Sequence, residues 1–188
     1  FGIILGIALA LMKLSKLRVL RGVAVSYINF VRGTPILVQI YIVYFGLFSF
    51  GINLSDSTAG IAALAINSGA YVAEIVRSGT MSVDEGQFEA GRSLGLNYTQ
   101  TMRLIILPQA FKNVLPALAN EFITLLKETS ISGYIAIPDL TKGGDLIRSQ
   151  TYDPFLPLFG VAIIYLVIVM ILTAGVHKLE MRLRTNER

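Results

Sequence analysis

The chain has 188 residues, 54% of them hydrophobic and only 15% charged, against about a quarter charged in an ordinary soluble domain. Its 16 Lys+Arg and 12 Asp+Glu leave a net charge of +4, and in so apolar a chain that excess fits the inner face of a membrane and argues against nucleic acid as a partner. With no cysteine and a single histidine, disulfides, thiolate metal sites, thiol nucleophiles and clustered-histidine zinc motifs are excluded. No GxxxxGK[ST] run occurs, so any ATP on which the chain depends is bound elsewhere.

About 20 mostly apolar residues cross about 30 Å of hydrocarbon, and five stretches qualify as candidates. Residues Phe1 to Met12 are too short to cross alone and lack a basic leading segment and a cleavage pattern, so they read as a truncated first span. From Val19 to Gly51 the apolar pattern is too long for one straight crossing, and Arg32-Gly33-Thr34-Pro35 in its middle predicts a break. There the Thr34 hydroxyl is expected to cap a restarting helix with Pro35 in its first position, and Ile36 to Gly51 becomes the deep part of span two. A bare kink is an equal reading of that stretch. Span three is predicted at about Thr58 to Ser78, span four at about Leu104 to Ser130 and span five at Phe155 to Val176, which carries no charge.

Lys and Arg accumulate on the cytoplasmic side of membrane spans. Lys13, Lys16, Arg18, Arg21 and Arg32 precede span two; Arg77, Arg92, Arg103 and Lys112 surround the link between spans three and four; Lys178, Arg182, Arg184 and Arg188 follow span five. These are thirteen of the sixteen basic residues. An odd number of spans then places the N-terminus outside and the C-terminus in the cytoplasm. His177, just past span five, is taken as an interface residue with no role.

The link from about Gly79 to Arg103 is long, polar and cytoplasmic. Asp84 and Glu85 suit the positive end of a helix dipole and Gly95 suits its stop, which predicts a short helix. Phe88, Gly91 or Arg92, and Leu94 or Gly95 recur near helical spacing, so that one face fits a groove on another protein. Here the sequence resembles the permease subunits of ATP-binding-cassette importers. Their cytoplasmic loop reads Glu-Ala-Ala, three residues, Gly, nine residues, Ile-x-Leu-Pro. This chain has Glu89-Ala90-Gly91, then Gly95, then Ile105-Ile106-Leu107-Pro108, with every spacing kept and Gly91 in place of the second alanine. Further matches are Arg32-Gly33-Thr34-Pro35, Tyr71 with Glu74 and Arg77, Gly86-Gln87, Pro108-Gln109-Ala110 and Lys127-Glu128-Thr129-Ser130, which resemble the polar amino-acid branch over about residues 20 to 175.

The resemblance implies an all-α fold, the type I importer permease fold, with about five transmembrane helices and a cytoplasmic coupling helix between spans three and four, in one domain over residues 1–188. It implies ATPase coupling through Glu89, Ala90, Gly91, Arg92, Ser93, Leu94 and Gly95. It also implies an ATP-binding-cassette ATPase that holds ATP and Mg²⁺, a second permease subunit (identical or paralogous), an extracytoplasmic amino-acid-binding protein, and residence in the inner membrane of a prokaryote. No cofactor is expected on this chain and no catalysis by it.

Ionisable groups inside spans usually face partners or a cavity. Glu74 and Arg77, three apart, are expected to pair. Glu121 and Glu128 share a helix face with Asn120, Thr124 and Lys127 nearby. Two readings stay open: a polar chamber in which Asn67, Ser68, Glu121, Thr124 and Glu128 hold a zwitterionic or cationic amino acid, or internal pairing of these charges. Residues Ile137 to Gln150, with Gly143-Gly144 inside, read as an interrupted interfacial helix on the outer side, either an outer gate and landing site or a plain connector. The competing class is an ion-gradient-driven secondary carrier with Glu121, Lys127 and Glu128 as ion sites, which leaves the long cytoplasmic loop without a purpose. A membrane enzyme lacks a placed base.

Overall fold

A computed structural model describes residues 1–185, and every element among them is helical; Arg188, counted above among the cytoplasmic charges, lies outside the described residues. The helices are α1 (Gly2–Leu14), α2 (Arg18–Gly33), α3 (Ile36–Ser49), α4 (Asp56–Met81), α5 (Glu85–Ser93), α6 (98–128), α7 (Leu140–Thr151) and α8 (Leu156–Thr185), with a 3₁₀ segment, Thr129–Ile135, after α6. Length and apolarity alone qualify α4 and α8 as membrane spans, and the bent pair α2–α3 if it is counted as one. Helix α1 is apolar but shorter. Helix α6 is long, yet Gln109, Lys112, Asn113, Asn120 and Glu121 dilute its apolar surface.

Helix α4 is the centre of the bundle. Its Ala59, Ala63, Ala70, Ala73 and Gly69 are buried, and side chains this small let neighbouring backbones approach, the usual way membrane helices gain packing energy when lipid is as apolar as the core. Helix α1 lies along it. Helix α2 places Ala24, Ile28 and Val31, four and three residues apart, against Leu9 and Ala10 of α1 and Ala70 and Ala73 of α4, which is the spacing of a single helical stripe.

The break at Thr34-Pro35 is a bend of 109° between α2 and α3, and its chemistry differs from the expectation. The Thr34 hydroxyl closes the outgoing helix, donating to the Phe30 carbonyl at 2.9 Å, and Pro35 is the residue before α3 and not its first turn. The corner is fastened by Gln39, which the sequence did not single out. Its Nε2 donates to the Val31 carbonyl at 2.7 Å, the Thr34 carbonyl at 3.0 Å and the Thr34 hydroxyl at 2.8 Å. Three oxygens around one amide nitrogen fix the orientation of the side chain, so Gln39 Oε1 points to α4 and accepts from Asn67 Nδ2 at 2.9 Å. A kink alone needs none of this; buried polar groups of this kind are kept where they specify one geometry.

Helix α7 is capped by Asp139, whose carboxylate accepts from the backbone N–H groups of Thr141 and Lys142. Gly143-Gly144 does not interrupt α7, contrary to the sequence reading. Gly144 is buried where α7 crosses α8, and a Cβ there would run into the Val161 side chain, so the glycine serves close approach. Helix α8 starts under the Asp153 carboxylate, which accepts from the N–H groups of Phe155 and Leu156; those two bonds hold the carboxyl below its ordinary range.

Candidate functional site

Two groups of residues carry the arrangement of interest, one beneath the bundle and one within it. The lower group is the segment between α4 and α6. Asp84 caps α5 by accepting from the Gly86 N–H at 2.7 Å, Glu85 follows in the first turn and Arg92 sits in the last, so cap, charge and dipole agree along nine residues. Gly95 has φ +81°, the left-handed conformation that ends helices and that side chains with a Cβ rarely adopt. Asn97 and Gln100 then form a reciprocal capping box that starts α6.

The short helix is seated on α6. Its Phe88 ring lies 5.3 Å from the Tyr98 ring, edge to face. Gly91 is buried against Thr101 and Ile105, where a Cβ would come within 2.6 Å of Thr101 Cγ2 and 3.0 Å of Ile105 Cδ1. Gly91 therefore faces the chain's own helix, in contrast to the other six residues of the coupling set. Glu89, Ala90, Arg92, Ser93, Leu94 and Gly95 remain exposed, Leu94 at 78%. The turn beneath Gly91 is a widened π segment, Met102–Ile106, closed by the Leu107 N–H on the Met102 carbonyl. Pro108 explains it: proline cannot donate and clashes with the carbonyl four residues back, and a wide turn relieves both.

The upper group is spread over α2 and α6, both of which pack on α4. Arg32, at the end of α2, stacks on the Tyr71 ring at 5.3 Å, and Tyr71 is one turn from Asn67 on the same face of α4. Glu121 of α6 lies within electrostatic reach of both Arg32 and Glu128. Glu121 and Glu128 are half-buried and have no hydrogen-bond or ion-pair partner among the described residues. Thr124 donates back to the Asn120 carbonyl within its own helix at 3.2 Å. Asn67 is buried against Gln39, and its Oδ1 has no partner among the described residues. Ser68 does not join them. It is turned to α1, its hydroxyl 3.0 Å from where a Gly2 Cβ would be, and lines a separate crevice of about 300 Å³ with Leu125 and Thr129. One residue along a helix is a rotation of about 100°, which separates Ser68 from Asn67. Arg32 and Tyr71 are the site neighbours that the sequence offered as family matches without a position.

Glu74 pairs with Arg77 as expected, through Nε at 3.0 Å and also through Nη2, but its other oxygen accepts from Lys13 of α1 at 2.8 Å, a contact 61 residues away in sequence. Because both cations lose their counter-charge together, Glu74→Gln is expected to lower stability by about 2 kcal/mol. Thermal unfolding in detergent measures it; an unchanged midpoint would make the triad ornamental. A pocket of about 220 Å³ lies between the 3₁₀ segment, α7 and α8, lined by Ser130, Tyr134, Thr141, Lys142 and Asp145. The Arg148 guanidinium, bonded to Asp145, and then Lys142 hold the Asp145 carboxyl below its ordinary range.

The helical bundle with a capped helix projecting between α4 and α6 defines a membrane transport subunit, and comparison with known proteins agrees. Residues 2–185 match the family described as binding-protein-dependent transport system inner membrane component, and the chain belongs to that family. It is 42% identical to a probable glutamine ABC transporter permease, GlnM, of Bacillus subtilis strain 168, over 97% of this chain and 85% of the relative. It is also 42% identical to the arginine transport system permease ArtQ of the same strain, over 99% and 85%. The crystal structure of an amino acid ABC transporter with histidines has a chain 49% identical, with a TM-score of 0.92 over 96% of this chain and 85% of that one. The fold is accordingly the all-helical type I ABC permease fold.

Proposed function

We propose that the chain is the transmembrane subunit of an ATP-driven importer for polar amino acids, basic ones among them. The observation that carries this reading is the α5 loop: a capped helix whose inner face is fixed on α6 while Glu89, Arg92 and Leu94 stand exposed. A helix built this way is a plug for another protein's groove, and the partner that suits it is an ATP-binding-cassette ATPase holding ATP and Mg²⁺. The chain itself is a conduit without catalysis, a single domain in which α1, α2–α3, α4, α6 and α8 make the five spans. Its N-terminus lies outside and its C-terminus in the cytoplasm.

A bundle of this size makes a poor pathway alone, so a second permease subunit, identical or paralogous, completes the pore. The substrate chamber is proposed at Glu121, Thr124 and Glu128, with Asn67 behind them; carboxylates there favour an ammonium or guanidinium group. Ser68, placed against α1, is left out of it. The outer pocket around Tyr134 and Lys142 is proposed as the landing and gating surface for the extracytoplasmic binding protein. Alternating access follows: ATP closes the ATPases, α5 carries the motion, and α4 and α6 tilt to reopen the chamber outward. The relatives named for glutamine and arginine transport support this substrate class.

The test is uptake of labelled arginine and glutamine into proteoliposomes holding the chain, its partner ATPase and the binding protein. Uptake that requires ATP is the expected result. Uptake by the chain alone under an ion gradient would assign Glu121, Lys127 and Glu128 to a secondary carrier.

A further inference from the structure

Two of the sequence matches, Gly86-Gln87 and Pro108-Gln109-Ala110, have no part in the chamber, and the structure joins them. Gln109 Nε2 donates to Gln87 Oε1 at 3.2 Å and to the Ile105 carbonyl at 3.1 Å. One turn along α6, Asn113 Nδ2 donates to the Ser82 hydroxyl at 3.0 Å, just before the Asp84 cap. On the other flank of α5, Gly91 rests on Thr101 and Ile105, and Phe88 meets Tyr98. The short helix is thus held on both sides by one element, α6, and its packing partners are the residues 98–106 at the start of that element. Among the described residues no side-chain hydrogen bond runs from α5 to α4.

We infer that Gln109 is a positioning residue that latches α5 to α6 through Gln87, so that the loop and the lower part of α6 travel as one rigid body through the transport cycle. The inference rests on the reading of α5 as the ATPase-docking helix and deepens it by naming the helix that receives the motion. Glu121 and Glu128 lie on that same helix, beyond Gln109 by about 18 and 28 Å at the rise of an α-helix. A push on α5 therefore enters the helix that carries the carboxylates, on the near side of its internal Pro116, whereas a loop free to swing on its connections would dissipate it.

The absence of cysteine in the chain makes a unique pair available. In the complete complex with ATPase and binding protein, Gln87→Cys with Gln109→Cys is bridged by a short bis-maleimide, and ATP-driven uptake is compared before and after. Uptake retained within about twofold supports the latch, because a pair that never separates tolerates a covalent tie; uptake abolished by the bridge overturns it. Gln109→Leu is the second arm. The ATPase still co-purifies and hydrolyses ATP, while amino acid moved per ATP falls about fivefold, the loss expected for one hydrogen bond at a mechanical joint, and Gln87→Glu with Gln109→Lys restores it as an ion pair. Transport per ATP unchanged in Gln109→Leu, or unrestored by the charged pair, overturns the latch. Absence of ATP-driven uptake in the unsubstituted complex overturns the transport reading and this inference with it, while a working complex indifferent to Gln109 overturns the inference alone.

Discussion

Glu121→Gln together with Glu128→Gln is expected to cut uptake of arginine by about tenfold to a hundredfold and to leave assembly with the ATPase intact. The two carboxylates are half-buried, seven residues apart on α6, and have no hydrogen-bond or ion-pair partner among the described residues. Arg32 is the nearby cation within reach of Glu121, and its guanidinium is stacked on Tyr71. Half-buried carboxylates without a neutralising bond are costly, and a cationic substrate that enters would relieve that cost. A hydrogen bond to a charged group contributes about 1.5–3 kcal/mol, and about 1.4 kcal/mol is a factor of ten, which gives the range stated. Initial rates of labelled arginine uptake in proteoliposomes measure the effect, with glutamine as the neutral comparison. Glutamine uptake should fall less, since a zwitterion offers the ammonium but no guanidinium. Equal rates for the double variant and the parent on both substrates would remove Glu121 and Glu128 from the pathway and leave them as internal counter-charges.

The second large effect is expected from Gly91→Leu. Even a Cβ at this position approaches Thr101 Cγ2 to 2.6 Å and Ile105 Cδ1 to 3.0 Å. Thr101 is fully buried and holds the Asn97 carbonyl through its hydroxyl at 3.0 Å, so it has little room to give. Overpacking of this kind costs about 1–3 kcal/mol when neighbours can shift. Here the alternative is cheaper: α5 lifts from α6 and no longer presents Glu89 and Arg92 in a fixed place. ATP-driven uptake should fall more than tenfold with helix content by circular dichroism unchanged. Gly91→Ala is the milder comparison: the family pattern has alanine at this position, but its Cβ must still displace Thr101 Cγ2, so a loss smaller than that of Gly91→Leu is expected. A Gly91→Leu complex that transports at the parent rate would show that α5 does not need its seat.

The parts of this architecture that could be read from sequence are those set by local chemistry. Asp84, Glu85 and Gly95 announce a short helix because cap, dipole and left-handed stop are all properties of adjacent residues, and α5 occupies the span they bracket. Span five is legible because no charged residue interrupts it. The Glu74–Arg77 pair is legible because three residues on a helix are neighbours. What escaped is long-range. Lys13 on Glu74, Gln39 on Asn67, and Gln109 on Gln87 join residues 61, 28 and 22 positions apart, and no periodicity reports which helix will stand beside which. The glycines misled for a related reason. Gly143-Gly144 looked like a helix breaker, but Gly144 is there because α8 passes close by, a fact about another element. Asn67 and Ser68, adjacent in sequence, share a chamber in one of the two readings the sequence leaves open; their faces differ by a helical rotation, and only the packing of α1 on α4 shows which of them turns inward to Gln39. The π segment before Pro108 is equally hidden, because proline alone does not announce it: Pro116, further along the same helix, sits in regular α-helix.

The central claim is that α5 is the seat of an ATPase, and co-purification tests it most directly. The tagged chain is isolated from its native membrane in mild detergent beside a Glu89→Lys, Gly95→Trp variant, which reverses an exposed charge on α5 and forces a bulky residue into the left-handed position that ends it. The account predicts that a protein with the GxxxxGK[ST] phosphate loop accompanies the parent and is missing from the variant, with both chains equally stable in detergent. An ATPase retained equally by both would move the docking site away from Glu89 to Gly95, and no ATPase with either would contradict the account.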